Sequence, residues 1–320
     1  MTSLLLLLVV CLGAASLGVG AMGFGPDLLL ELANQPPGSM VHRVFFDIRL
    51  PRTLTAILVG AALGASGLIF QSISRNALGS PDIIGFTTGA ATGAIVQIVL
   101  FSPSALGVAV AAIVGGLVTA LVVYGLSVRD GSVAGYRLIL VGIGIGAILS
   151  AVNGLLLVKG DLDNAVVANL WLAGSLDARN WGHVIPVGLG CLVLMPVLVL
   201  LASRLQLMEM GDDTARQLGV RVEAVRLTMV LCAVALAGLA TGAAGPVAFI
   251  ALAAPQLVVR LLPSGRLPVI GAAAMGALLM VVTDLLSRLF PLEVMLPIGR
   301  MTGVIGGIYL IWLLGRVRGI

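Results

Sequence analysis

A chain of 320 residues that is 59% hydrophobic and 10% charged, with mean hydropathy +1.16, has too few charges to cover a water-facing surface. Soluble domains are about 25% charged, so most of this surface must face lipid, and a soluble enzyme or nucleic-acid-binding domain is excluded. The net charge of +4 is then a statement about topology across a membrane.

Backbone in lipid must bond to itself, which leaves helices or a closed barrel. Runs such as residues 4–10 lack the two-residue alternation of a barrel strand, so the expected fold is all-α, a polytopic membrane helical bundle forming one domain over residues 1–320. A span needs roughly 20 apolar residues. In chain order the apolar runs predict ten spans, at about 3–20, 53–72, 83–101, 106–127, 136–158, 182–202, 225–242, 246–262, 268–288 and 297–315. The first has no basic residue ahead of it and no small-x-small cleavage site, so it reads as a retained helix rather than a signal.

Threading ten spans from a cytoplasmic amino terminus leaves eleven of the 18 Lys and Arg residues inside and seven outside. The positive-inside rule favours this orientation, with both termini cytoplasmic. The polar loop at 159–180 then lies outside. It carries Asp161, Asp163, Trp171, Asp177 and Arg179, and it has room for a constriction helix over the outer mouth. His42 and His183 are far apart, and Cys11, Cys191 and Cys232 stand singly in apolar runs, so neither a metal site nor a disulfide is expected. Glycines at helix-face spacing (Gly60, Gly64, Gly67; Gly89, Gly93; Gly142, Gly146) predict closely packed helices.

The densest polar feature is residues 204–226, with Arg204, Glu209, Asp212, Asp213, Arg216, Arg221, Glu223 and Arg226. Such an island cannot sit in hydrocarbon. Asp212 or Asp213 can cap a helix over 214–218, and Gly219 can end it. One or two turns are not stable alone in water, so the segment needs a docking surface, with Ala215, Leu218 and Val220 as apolar contacts. It reads as a coupling element for a cytoplasmic motor, or else as a solvated turn between spans. No G-x-x-x-x-G-K-[ST] loop is present, so a nucleotide would be bound by another chain.

A set of motifs, in order, resembles the permease subunits of ABC importers for iron-siderophores, haem and vitamin B12, the type II importers. It begins with Arg49-Leu50-Pro51-Arg52 and Gly60-Ala61-Ala62-Leu63-Gly64. Gln71 and Ser74-Arg75-Asn76-Ala77-Leu78-Gly79-Ser80-Pro81-Asp82-Ile83-Ile84-Gly85 follow. Then come Gly211-Asp212-Asp213-Thr214-Ala215 with Leu218-Gly219-Val220, and Gly245-Pro246 with Phe249-Ile250-Ala251. Asp284 with Arg288 and Leu296-Pro297-Ile298-Gly299 complete it. Within that family, residues 74–85, 208–215 and 306–311 are most similar to the G-type permeases of ferric-enterobactin importers. Departures from the common pattern are Gln256 after Pro255, Ala77 after Asn76, and Arg300.

The resemblance implies a non-enzymatic transport subunit that moves ferric siderophore across the cytoplasmic (inner) membrane by alternating access. It implies no catalytic, cofactor or metal residue in this chain. The implied partners are a second, related permease in a heterodimer, two ATPase subunits that bind ATP and Mg, and an extracytoplasmic siderophore-binding protein, besides membrane lipid; no nucleic acid is implied. ATPase coupling falls on Gly211, Asp212, Asp213, Thr214, Ala215, Arg216, Leu218 and Gly219. Binding-protein docking falls on Arg49, Arg52 and Arg288. For Arg49 and Arg52 the residues alone equally allow interfacial snorkelling, and for Arg288 a neutralising i,i+4 pair with Asp284. Polar residues in or beside spans, Thr87, Gln97, Asn153 and Gln256, are candidates for the translocation path or for helix–helix hydrogen bonds. Haem, a corrinoid or a metal are alternative cargoes. An ion-coupled carrier would need intramembrane carboxylates at a midplane site, and Asp284 has Arg288 beside it.

Overall fold

The computed structural model describes residues 2–19, 34, 36, 39–82, 85–101, 104–129, 132–133, 135–261, 267–289 and 297–316. Of the residues named above, Ile83, Ile84 and Leu296 lie outside them.

Each predicted span falls on a helix. These are α1 (Thr2–Gly18), α2 (Met40–Ser74), α3 (Phe86–Leu100), α4 (Ala105–Ser127), α5 (Gly135–Lys159), α7 (Trp181–Glu209), α9 (Val222–Ala244), α10 (Ile250–Leu261), α11 (Val269–Leu289) and α12 (Ile298–Arg316). Two shorter helices lie between them, α6 (Leu162–Leu172) in the 159–180 loop and α8 (Asp212–Gln217) in the charged island. A two-residue hairpin, β1 (Val128–Arg129) with β2 (Ser132–Val133), joins α4 to α5. Among the described residues six helices are long and apolar enough to cross a membrane; α1, α3 and α10 are shorter apolar helices.

The boundaries depart from the prediction in three instructive places. α2 begins thirteen residues before the predicted 53, through a π-helical stretch Val44–Arg49. α7 runs on to Glu209, so Arg204 and Glu209 belong to a membrane helix and not to a free linker. The predicted span at 246–262 is helical only from Ile250. Residues 245–249 are non-helical, with Gly245 at φ 74° and Phe249 at φ 67°. Backbone that leaves the helix at membrane depth is tolerated only where protein or a polar cavity covers it. Here Gly245 and Val247 are buried.

α2 is the axis of the bundle. It packs against α7, α9, α10 and α11, and 78% of its span is buried, against 11% for α5. Glycine makes this possible. A Cβ on Gly60 would lie 2.4 Å from the Gly276 carbonyl oxygen, and one on Gly67 would lie 1.7 Å from that of Ala251. The backbones of α2, α11 and α10 therefore touch where any side chain would part them. In lipid, where burying apolar surface drives nothing, such contact is what holds helices together. The seam joins α2, α10 and α11 by direct backbone contact.

Candidate functional site

Two polar clusters occupy opposite ends of α2. The first surrounds α8. Gly211 (φ 122°, ψ 142°) starts the helix with a backbone angle that L-residues rarely adopt, and no side chain caps it. Asp212 and Asp213 are thus first-turn residues and not the expected caps. The end of α8 is as predicted. Gly219 takes φ 81°, its N–H donates to Arg216 O at 3.0 Å, and the Val220 N–H donates to Ala215 O at 2.9 Å. This is the paired hydrogen bond of a Schellman closure.

What displaces Asp212 from capping is a stronger pair of partners. Its Oδ1 accepts from Arg75 Nη2 at 2.9 Å and its Oδ2 from Arg226 Nη2 at 2.6 Å. Arg75 is the residue that closes α2, at φ 49°, and the same Nη2 donates to Met208 O at 2.6 Å. Arg226, on the second turn of α9, is 4% exposed and also donates to Glu223 Oε1 at 2.6 Å. Ser72 on α2 donates to Glu209 Oε1 on α7 at 2.5 Å. Charge-assisted bonds of this kind are about twice as strong as neutral ones. One carboxylate therefore ties α8 to two membrane helices.

Burial divides the predicted coupling residues. Ala215 is fully buried and Val220 nearly so, and their contact lies inside the chain; neither offers the docking surface expected of it. The outward surface is Asp213, Thr214, Arg216, Leu218 and Gly219. Leu218 is 59% exposed. Arg216 pairs with Asp213 at 2.8 Å.

The second cluster lies at the other end. Arg49 is buried and its Nη1 donates to Leu17 O at 2.8 Å. Arg288 donates to Ser16 O at 3.1 Å, to Val19 O at 3.0 Å and to Ser16 Oγ. Together these two arginines satisfy carbonyls at the carboxyl end of α1, where cations are favoured. Arg288 also pairs with Asp284, which is buried and shared with Arg52 at 2.9 Å. Arg52 reaches further, to Asp177 in the turn after α6. Two arginines and two aspartates thus form a neutral set across α2, α11 and that turn. All three arginines expected to dock a partner are engaged internally.

The predicted path residues are not gathered in one place. Gln256 donates to Gln71 Oε1 at 2.7 Å, and Gln71 donates to Leu252 O at 3.0 Å, so both amides bond α2 to α10. Both line a pocket of about 330 Å³ beside Arg75 and Glu209, which adjoins a cleft of about 1320 Å³ lined by Thr2, Ser203 and Gln206. Gln97 lies half-buried near the far end of α3, while Asn153 on α5 is 8% exposed with its Oδ1 lacking a hydrogen-bond partner. Thr87 donates to Asp82 Oδ1 at 2.5 Å. Sequence reasoning missed Arg75, Asp177 and Ser72, whose partners lie more than a hundred residues away and leave no local signal.

Asp82, in the turn between α2 and α3, has its carboxyl pushed up to about 6 by burial, opposed by the hydrogen bond from Thr87. The folded protein then keeps a proton that the unfolded chain has lost. Stability is expected to fall as pH rises from about 4 to about 6 and to stay reduced above that. Wild type should lose up to about 2 kcal/mol more than Asp82→Asn across this window. Thermal unfolding in detergent at both ends of the window checks it; the same pH dependence in both proteins would contradict it.

The FecCD transport family's sequence profile matches residues 5–316. The ferric enterobactin transport system permease protein FepG of Escherichia coli (strain K12) is 46% identical over 90% of this chain and 87% of that protein. The achromobactin transport system permease protein CbrC of Dickeya dadantii (strain 3937) is 38% identical over 99% of this chain and 91% of its own length. The hemin transport system permease protein HmuU of Yersinia pestis is 33% identical over 98% and 94%. A solved structure described as an inward-facing, metal-chelate type ABC transporter superposes with TM-score 0.85 at 27% identity, covering 99% of this chain and 98% of that one.

Proposed function

The chain belongs to the FecCD transport family, and from that premise we propose that it is the permease subunit of an ATP-driven importer for ferric siderophore. The substrate class rests on the likeness to the ferric enterobactin and achromobactin permeases. The hemin permease keeps haem as the second reading. In this proposal the α8 end faces the cytoplasm, both termini are cytoplasmic, and the chain pairs with a related permease. Two ATPase subunits bind ATP and Mg and press on α8. A binding protein delivers cargo at the opposite end, with Arg52 as the docking arginine nearest to water.

The observation that carries the mechanism is the double grip on Asp212. A short helix on a loose loop would absorb a push. Asp212, held by Arg75 of α2 and Arg226 of α9, passes it to both. α2 in turn shares its glycine seam with α10 and α11. From Arg75 to Arg52 it rises roughly 35 Å, so a displacement at the coupling end arrives at the outer charge cluster. Alternating access needs two states whose balance the ATPases shift by binding one better. Arg216, Leu218 and Asp213 are the surface on which that difference would be made.

The test is ATP-dependent uptake of labelled ferric siderophore into proteoliposomes holding this chain with its candidate permease and ATPase partners. Wild type is compared with a replacement of residues 211–220. The replacement should leave the permease pair assembled and abolish both ATPase attachment and uptake. Uptake that persists with no ATPase attached would instead establish an ion-coupled carrier.

A further inference from the structure

Arg52 is held unequally by its two acids. Its Nε and Nη2 reach Asp284, whose side chain is 1% exposed and which Arg288 also grips; its Nη1 reaches Asp177, whose side chain is 36% exposed. One end of the bridge is buried and the other is wetted.

Asp177 is also what keeps its own turn in place. Ser175 Oγ donates to Asp177 Oδ2 at 3.2 Å and accepts from the Asp177 N–H at 3.0 Å. The Ser175 N–H donates to Ala244 O, at the tip of α9, at 2.8 Å. The next residue after Asp177, Ala178, sits at φ 55°, a left-handed angle unusual for a residue with a Cβ. Such strain persists only where surrounding contacts impose it. The turn is seated tightly as well. A Cβ on Gly174 would lie 2.5 Å from Pro246 O and 3.1 Å from Gly299 Cα. The ion pair with Arg52 therefore ties a strained turn, continuous with α6, to α2 over the non-helical residues that precede α10 and the start of α12.

We propose that Asp177 is an internal competitor for the docking carboxylate of the binding protein. On docking, an acidic side chain of that protein takes the place of Asp177 at Arg52, and the turn at 173–180 is released together with α6. The proposal rests on the reading of this chain as a permease approached by an extracytoplasmic binding protein. The exchange is favourable in form because Arg52 keeps two acids throughout, and the carboxylate set free, that of Asp177, is already half-exposed to water. It is easy because a wetted ion pair is weak, while the buried Asp284 retains the guanidinium. Arg52 is accordingly a positioning residue that reports occupancy of the outer face to the turn.

The experiment uses the assembled transporter in nanodiscs and its binding protein, in a background with Cys11, Cys191 and Cys232 replaced by serine. Binding affinity is measured alongside the rate of thiol labelling at Leu176→Cys, a position 1% exposed in the strapped turn. Asp177→Asn should bind the binding protein more tightly, by roughly twofold to fivefold, the range of one exposed ion pair. Without binding protein it should label at the rate wild type reaches only when docked. Asp177→Glu should behave as wild type. Asp163→Asn removes an exposed acid that pairs with no arginine among the described residues, and it corrects for the general change in charge. Tightening in Asp177→Asn no greater than in Asp163→Asn, or labelling that does not rise, would overturn the competition. Unchanged affinity in Arg52→Gln is a different failure: it would remove the docking reading on which the proposal rests.

Discussion

Asp284→Asn is expected to destabilise the protein by about 3 kcal/mol, at the low end of what breaking a buried ion pair costs. The carboxylate is fully buried and is shared by Arg52 and Arg288. Its loss leaves Arg52 with Asp177 among the described residues, and Arg288 with Ser16 Oγ and the carbonyls of Ser16, Val19 and Asp284. Those remaining partners are the reason for the low figure. The double variant Asp284→Asn, Arg288→Gln removes one charge of each sign and restores neutrality around Arg52. It should therefore be less destabilised than the sum of its single changes. Detergent unfolding of the four members of the cycle gives the coupling directly. A single variant within about 0.5 kcal/mol of wild type, or an additive double variant, would show that the cluster is not an electrostatic unit.

Asp212→Asn is expected to separate ATP hydrolysis from transport. The variant keeps the size of the side chain but weakens both arginine contacts, so α8 can still meet an ATPase while no longer moving α2 and α9 with it. Uptake per ATP hydrolysed should fall by about tenfold, the effect of roughly 1.4 kcal/mol of lost coupling, with the complex still assembled. Its neighbour provides the contrast. The Asp213 side chain is 93% exposed and, among the described residues, pairs only along α8 with Arg216, so Asp213→Asn should change stability by less than about 0.5 kcal/mol. Measuring uptake and hydrolysis in the same proteoliposomes decides the matter. An unchanged ratio in Asp212→Asn would mean that force leaves α8 by another route.

The two aspartates show where sequence reading stops. They are adjacent and chemically identical, and either serves as a cap on paper. Gly211 takes the backbone role that the cap was to fill, and Arg75, 137 residues away, claims one of them. The same holds for Arg49, Arg52 and Arg288. A basic residue at the edge of a span reads equally as a docking group, a snorkelling side chain or an ion-pair partner. Arg52 meets its acids across 232 and 125 residues, and no local pattern records such meetings. Gln71 and Gln256 are a further case: polar residues in spans suggest a path, and here they bond α2 to α10.

By itself the sequence determined the helical bundle, the order of its apolar helices, the short helix in the charged island with its glycine stop, and the family. All of these follow from local necessities. Lipid forces the backbone to bond within each segment, an apolar run of sufficient length has one stable fate there, and a positive φ calls for glycine. Only the tertiary structure decided which charges face water and which face each other, and where the span before Ile250 breaks. It also decided which of the island's apolar residues remain outside for a partner. Those outcomes depend on groups brought together from distant helices. A charge in a membrane protein takes the best counter-charge that packing places within reach, and packing here is set by backbone contacts along glycine seams that no single stretch of chain contains.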